Sequence, residues 1–520
     1  MSENLNVSEK KNISLGAILS YATIFASLIL SFFYTRFILE NLGEVNCSIR
    51  NVATSTVSYL GLISLGMGTA YFRFRKQKEK EGGIEATKRF NGLFFICFTI
   101  FGLIAFILGI LLVLLAKTGF FKVEDPSKAY LLVPVIGITV LNVSISFPIS
   151  VFNFIENYHR KFFFANLINF IDTILLPVSS MVVILLLRKN NSPDQLTIIV
   201  TWVAFVEALV IKAIHIIYVV FYLKDKISLK VKKEDFKVMK PIIVFSFFAF
   251  IVTMISKIHT STDQVILSAM INTTAALIYS YAMLFHTYTN TAITTITNLF
   301  TPRLTSDAME NNVEDMNKVF DILSGAITIL VTLILGGFIA VGKDFVTIWL
   351  RTLSGEDHKN IYIFGVLLIS CCLFSAYSNL LYSYHIAKNK HKFAALFYIG
   401  SFLVNVIISV LLCIPFGILG TIIGTIIVSV GETIGMTIYT RKILTIKWQS
   451  YVYNLIRNLF ILGISIGLFF IIFKFIPLGS LNLIIQFLIK GFSFVILFGG
   501  FELLINKRFI KYFLKVLRRK

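Results

Sequence analysis

Runs of about 20 apolar residues, long enough for a helix to cross a bilayer, recur along the whole chain. Fourteen are read, at 14–39, 49–71, 91–116, 129–154, 164–187, 196–221, 241–260, 273–300, 321–342, 361–386, 393–412, 417–439, 455–473 and 481–505. The 520 residues are 57% hydrophobic and 14% charged, where a soluble domain is about half apolar and a quarter charged. That much apolar surface does not fit inside one aqueous core. The expected fold class is an all-α integral membrane protein of about 14 transmembrane helices.

The net charge of +21 would suggest nucleic acid in a soluble chain. Here the position of the charge decides the matter. Connections on the N-terminal side hold 33 Lys and Arg, and those on the opposite side hold nine. The positive-inside rule therefore places both termini in the cytoplasm, and no nucleic acid partner is expected. The terminal stretch KRFIKYFLKVLRRK, 507–520, alternates basic and apolar residues and is expected along the anionic inner leaflet. The first run is too long for a signal-peptide core and stays as a membrane helix. Cys47, Cys97, Cys371, Cys372 and Cys413 form no CxxC or metal spacing, so they read as packing residues, and no metal or cofactor is expected.

Two segments echo each other. YTRFILENLG, 34–43, and TDQVILSAMI, 262–271, each set a polar residue near an outer helix end before an apolar triplet and a short turn. Helices 1–6 and 7–12 are then expected as pseudo-symmetric six-helix bundles, the repeat architecture of alternating-access transporters. The divisions are 1–240, 241–454, and 455–520 for two further helices with the basic tail.

Four pieces carry a family resemblance: RFILENLG (36–43), YLGLISLGMGTAYFRF (59–74), STDQVILSAMINTTAALIYSYAMLF (261–285) and TNLFTPRLT (297–305). In order and spacing the chain resembles the Wzx-type oligosaccharide flippases, whose superfamily also holds the multidrug/toxin extruders and the lipid II flippase. In that family a Pro closes helix eight, a place Pro302 fits. The chain departs from the pattern at Asn46-Cys47, where many members carry Tyr-Gly. The resemblance implies a substrate, an undecaprenyl-pyrophosphate-linked oligosaccharide moved from the inner to the outer leaflet of a bacterial cytoplasmic membrane. It implies membrane lipids as partners too, and a polysaccharide polymerase or glycosyltransferases as candidates. Coupling to a cation gradient is implied for some relatives.

Such a substrate carries phosphates and sugars through an apolar slab, and cations and small polar groups would line its path. A charge at the bilayer centre costs at least ~2.5–3.5 kcal/mol, so each ionisable residue inside a run invites a reason. Arg36, Arg50, Lys212, Lys257 and His286 are the candidate substrate-binding residues. Asp172, Glu207, His215, His259, Asp263 and Glu432 are the candidate ion-coupling residues. Lys212 lies roughly 14 Å into helix six at 1.5 Å per residue. Glu207 is about 140° away around that helix, so Asp172 is the better partner for Lys212. His259 and Asp263 share a helix face. Glu432 stands among Gly420, Gly424, Gly431 and Gly435, whose spacing favours close helix packing. Each also has a structural reading: an ion pair, an interfacial anchor, a capped helix end or a packing histidine. The threonines from Thr287 to Thr297 would hydrate a cavity or bond their own backbone. No phosphate loop, DxD pair or metal cluster appears, which argues against a polyprenyl-sugar transferase or polymerase. A multidrug/toxin cation-coupled exporter is the alternative function.

Overall fold

A computed structural model describes residues 7–64, 67–159, 161–230, 232–309, 313–387, 391–443, 448–476, 478 and 481–507. Among the described residues there are fourteen α-helices and no strand. They are α1 (Val7–Leu42), α2 (Glu44–Ser58), α3 (Met67–Lys117), α4 (Leu132–Tyr158), α5 (Phe162–Leu187), α6 (Pro193–Ile217), α7 (Met239–Met270), α8 (Thr273–Met309), α9 (Val313–Trp349), α10 (Gly355–Ala387), α11 (His391–Phe416), α12 (Ile418–Ile443), α13 (Gln449–Phe475) and α14 (Leu483–Ile505).

Eleven helical stretches among the described residues are long and apolar enough to cross a membrane. The protein is thus a multi-pass membrane protein. The expected runs at 49–71, 241–260 and 273–300 correspond to α2 with the turn that continues it, α7 and α8. These are helical. α2 spans 15 residues rich in amides and hydroxyls, and a 3₁₀ turn, Tyr59–Ser64, extends it.

Three sequence expectations need correction. The basic connection 72–90 is not a loop. It is two helical arms within α3 that meet at Gly82 (φ −148°, ψ 17°) and Gly83 (φ 60°, ψ −146°). Lys, Gln and Glu are good helix formers, and the left-handed φ at Gly83 suits a residue without a Cβ. The connection expected at 155–163 also begins too early, because α4 runs to Tyr158. Nor does Pro302 close helix eight: α8 continues to Met309. The basic tail from 508 onward lies outside the described residues.

By packing, the chain forms two compact units, Met1–Leu277 and Ile278–Lys520. In the first, α4 packs on α2, α3 and α6, α5 packs on α1 and α6, and α7 rests on α2 and α3. In the second, α10 packs on α9 and α12, α11 on α12, and α13 and α14 on α9. The expected division at residue 240 follows the helix repeat rather than packing and is taken up under the proposed function. The echo segments both end helices: α1 stops before Gly43 (φ 80°) and α7 stops before Ile271.

A ladder of polar contacts fastens α13 to α9. Ser450 donates to Asp321, Asn454 Nδ2 donates to Ser324 Oγ at 2.9 Å, and Asn458 Nδ2 donates to Thr328 Oγ1 at 2.8 Å. Asn506, just past α14, donates to Asn458 Oδ1 at 3.0 Å and to Glu502. The rungs recur every three or four residues on both helices, so one face of each is used. Lys490 of α14 pairs with Asp344 of α9 at 2.6 Å. Interhelical hydrogen bonds in membranes average about 0.6 kcal/mol and reach about 2. Asn458→Leu removes two at once and should cost about 1–2 kcal/mol. Thermal unfolding in lipid should show it as a lowered midpoint, while Leu459→Ala on the exposed face leaves the midpoint unchanged.

Candidate functional site

The first unit brings three of the expected residues together. Asp172 of α5 and Glu207 of α6 meet carboxyl to carboxyl, with Lys212 the neighbouring cation. The direct partner of Lys212 is not Asp172, as the sequence suggested, but Asn142 of α4. The ammonium donates to its Oδ1 at 2.6 Å and to its backbone oxygen at 3.4 Å. Two acids and one base thus converge from α5 and α6, and Asn142 joins them from α4, leaving one more acid than base. That arrangement can hold and exchange a cation, and Asn142 anchors the ammonium.

Three residues beyond Lys212 on α6, His215 Nδ1 lies 2.9 and 2.8 Å from the two carboxylate oxygens of Glu156. Both groups are buried. Glu156 belongs to the last turn of α4 and was not singled out from the sequence.

The remaining expected residues have other partners. Arg36 pairs with Glu40 one turn on at 2.8 Å, and Arg50 Nη2 lies 3.4 Å from the Tyr34 hydroxyl. Asp263 is buried on α7 beside a hydroxyl seam against α2. There Ser48 donates to Thr273 at 2.8 Å, Tyr59 and Thr262 meet at 2.8 Å, and Ser55 donates to Gln264. Lys257 and His259 lie on α7, but their side chains are outside the described residues.

In the second unit, His286 lies 3.1 Å from the Asn290 amide on its own helix. Thr287, Thr289, Thr291, Thr295 and Thr297 each donate to the carbonyl four residues back. Glu432 lines a cavity of about 630 Å³ between α11 and α12, with Ser401, Gly400 and Gly431 among otherwise apolar walls. Among the described residues no group of three His, Cys, Asp or Glu is placed to hold a metal ion. All five cysteines are free thiols.

A buried hub outside the expected set ties the segment after α6 to α3. The Arg75 guanidinium bonds Asp225, donates to the Tyr71 hydroxyl at 3.0 Å and lies over the Tyr158 ring at 4.2 Å. Asn91 accepts from Tyr71 at 2.7 Å and donates to Asp225 Oδ1 at 3.0 Å and to the Lys226 carbonyl at 3.2 Å. His159 Nε2 is 2.8 Å from Asp225 Oδ2. Ser228 N donates to the Lys88 carbonyl at 3.1 Å. A Cβ at Gly92 would fall 1.8 Å from the Ser228 carbonyl oxygen, so that position has no room for a side chain.

Burial pushes the Asp225 carboxyl up, but the His159 hydrogen bond and the Arg75 guanidinium outweigh it and hold the group below its ordinary range. A depressed carboxylate stabilises the fold fully above its unfolded value, near 3.9. That contribution fades as pH falls through the lower folded value. The hub should therefore hold its Asp225 contribution constant from about pH 5 to 8 and lose it only in acid below about pH 4. Limited proteolysis of the 224–230 segment at graded pH checks this. Asp225→Asn leaves the Arg75 side chain, 4% exposed, without its counter-charge. Removing one partner of a buried pair costs on the order of 3–5 kcal/mol, so the variant should unfold at a visibly lower temperature at neutral pH.

No protein-family model matches the chain, and no curated protein is similar to it in sequence. Solved structures do resemble it. The lipid II flippase MurJ in an inward closed conformation superposes with a TM-score of 0.71 at 15% identity, over 95% of this chain and 100% of that one. An inward-facing multidrug resistance MATE family transporter of the MOP superfamily gives 0.63 at 13%, over 82% and 97%. Its outward-facing counterpart gives 0.53 at 14%, over 84% and 95%. At these identities the likeness concerns the fold: the chain has the helical architecture shared by the lipid II flippase and the MATE transporters of the MOP superfamily.

Proposed function

We propose that the protein is a flippase for undecaprenyl-pyrophosphate-linked oligosaccharide units, of the Wzx type, working by alternating access in a bacterial cytoplasmic membrane. The observation that carries this reading is the extent of the fold match. It takes in 95% of the chain with the lipid II flippase but 82% with the MATE transporter. The surplus agrees with α13 and α14 being part of the machine, fastened to α9 by the polar ladder. In this reading helices 1–6 (1–240) and 7–12 (241–454) form two related bundles, residues 455–520 add the last two helices and tail, and both termini are cytoplasmic. The chain then crosses the membrane fourteen times. It performs no covalent chemistry, and its substrate comes from glycosyltransferases and passes to a polymerase.

Lys212 would meet the pyrophosphate, with Arg36, Arg50, Lys257 and His286 along the path. Asp172, Glu207, His215, His259, Asp263 and Glu432 would carry the coupling cation. The acidic surplus around Lys212 is the one feature that favours the alternative, a cation-coupled drug exporter.

Accessibility of a labelled lipid-linked oligosaccharide on each leaflet of reconstituted vesicles separates the two readings. Wild type should move it outward, and Lys212→Ala should slow that movement at least tenfold while remaining inserted. If wild type leaves the labelled lipid in place and instead confers resistance to cationic dyes in cells, the exporter reading replaces this one.

A further inference from the structure

The inner end of α6 combines a buried acid–base pair with a break in helical hydrogen bonding. His215 is 5% exposed and Glu156 is 0% exposed. Among the described residues neither side chain has another hydrogen-bond or ion-pair partner. An isolated buried charge is costly, and a buried pair persists only where its charges balance. With one exchangeable proton aboard, imidazole and carboxylate together are neutral. Without that proton, a lone carboxylate remains in an apolar setting. Imidazole is the side chain that ordinarily exchanges a proton near neutral pH.

The backbone leaves the α-helix directly after this pair. Tyr218–Tyr222 is a π-helical turn. Such turns are rare, occur mostly as single turns and are frequent at functional sites. The Tyr218 ring stacks on Phe164 of α5 at 3.5 Å and on Tyr222 at 4.8 Å, and Phe164 meets the His215 ring edge-on at 6.3 Å. The groups around His215 are therefore Glu156 from α4, Phe164 from α5 and Tyr218 from the π turn, which lies within electrostatic reach of Glu156. Lys212, held by Asn142, lies about one turn toward the bilayer centre. Beyond the π turn the chain enters the hub through Asp225.

We propose that His215 and Glu156 form a proton-binding site whose occupancy fastens the inner ends of α4 and α6. Loss of the proton leaves the Glu156 carboxylate uncompensated and frees the π turn to change register. The second half of the idea rests on the transporter reading: the proton bound here is then the coupling ion, and the pair is where the inner side of the cycle senses it.

The first test needs no substrate. Full-length protein with ¹⁵N-labelled histidine is placed in lipid bilayers, and its imidazole signals are followed by solid-state NMR from pH 5 to 9. The signal lost in His215→Gln identifies His215. It should convert from imidazolium to neutral imidazole within that range. In Glu156→Gln, which keeps the shape but not the charge, the ratio of imidazolium to neutral imidazole at the wild-type mid-titration pH should fall at least tenfold, the smallest effect expected of a removed partner charge. A His215 that keeps one form throughout, or a Glu156→Gln protein with an unchanged ratio, overturns the proposal.

The second test uses vesicles and a fluorescent undecaprenyl-pyrophosphate-linked sugar. An imposed proton gradient should accelerate movement in wild type. Glu156→Gln and His215→Gln should lose that acceleration. Full acceleration in Glu156→Gln overturns the coupling role. If wild type moves no such lipid, the flippase reading fails, while the histidine titration still decides the proton site.

Discussion

A bilayer core supplies no water, so a polar group placed there must find its partner within the chain. Much of the structure follows from that constraint. The apolar runs become helices because only then are their backbone groups satisfied. The threonines of α8 spend their hydroxyls on their own backbone. The amides and hydroxyls of α9 and α13 face one another because nothing else in the hydrocarbon would receive them. The same constraint makes charged groups legible: Lys490 is matched across helices by Asp344, and Lys212 is gathered with Asp172 and Glu207.

The two polar sites of the first unit illustrate different uses of this rule. At the Arg75–Asp225 hub, charge and hydrogen bonds are balanced within one compact cluster, and Gly92 lets the 224–230 segment lie flush on α3. Such a cluster holds geometry. Around Lys212 and at His215–Glu156 the groups are titratable and their balance depends on an added proton or ion. Such clusters suit change. The π turn lies between the two kinds, within a few residues of each.

The helical class and the multi-pass topology were legible in the sequence, because length and hydropathy report burial in lipid directly. Partners were not. Asn142 is uncharged and sits inside an apolar run, so nothing in the pattern flags it as the ligand of Lys212. Glu156 follows FNFI at the point where hydropathy falls, and a carboxylate there reads as the first residue of a loop. Only the extra turn of α4 buries it. The hub joins residues 20, 134 and 150 positions apart, separations that helix periodicity does not register. The connection 72–90 was misread because charge marks exposure to water, not absence of helix. The drop in apolarity had the right position and the wrong structural meaning.

The α9–α13 ladder also bears on how the chain is made. Its rungs join residues 129 and 130 positions apart. At a synthesis rate of about 5–20 residues per second, the face of α9 bearing Ser324 and Thr328 waits about 7–26 s for α13 to emerge. During that interval α9 is an inserted helix with an unmatched polar stripe. A ribosome that stalls after α12 leaves the stripe open to lipid or to a chaperone. Completion of the last two helices is therefore what closes the second unit, and a chain truncated before them carries a built-in mark of immaturity.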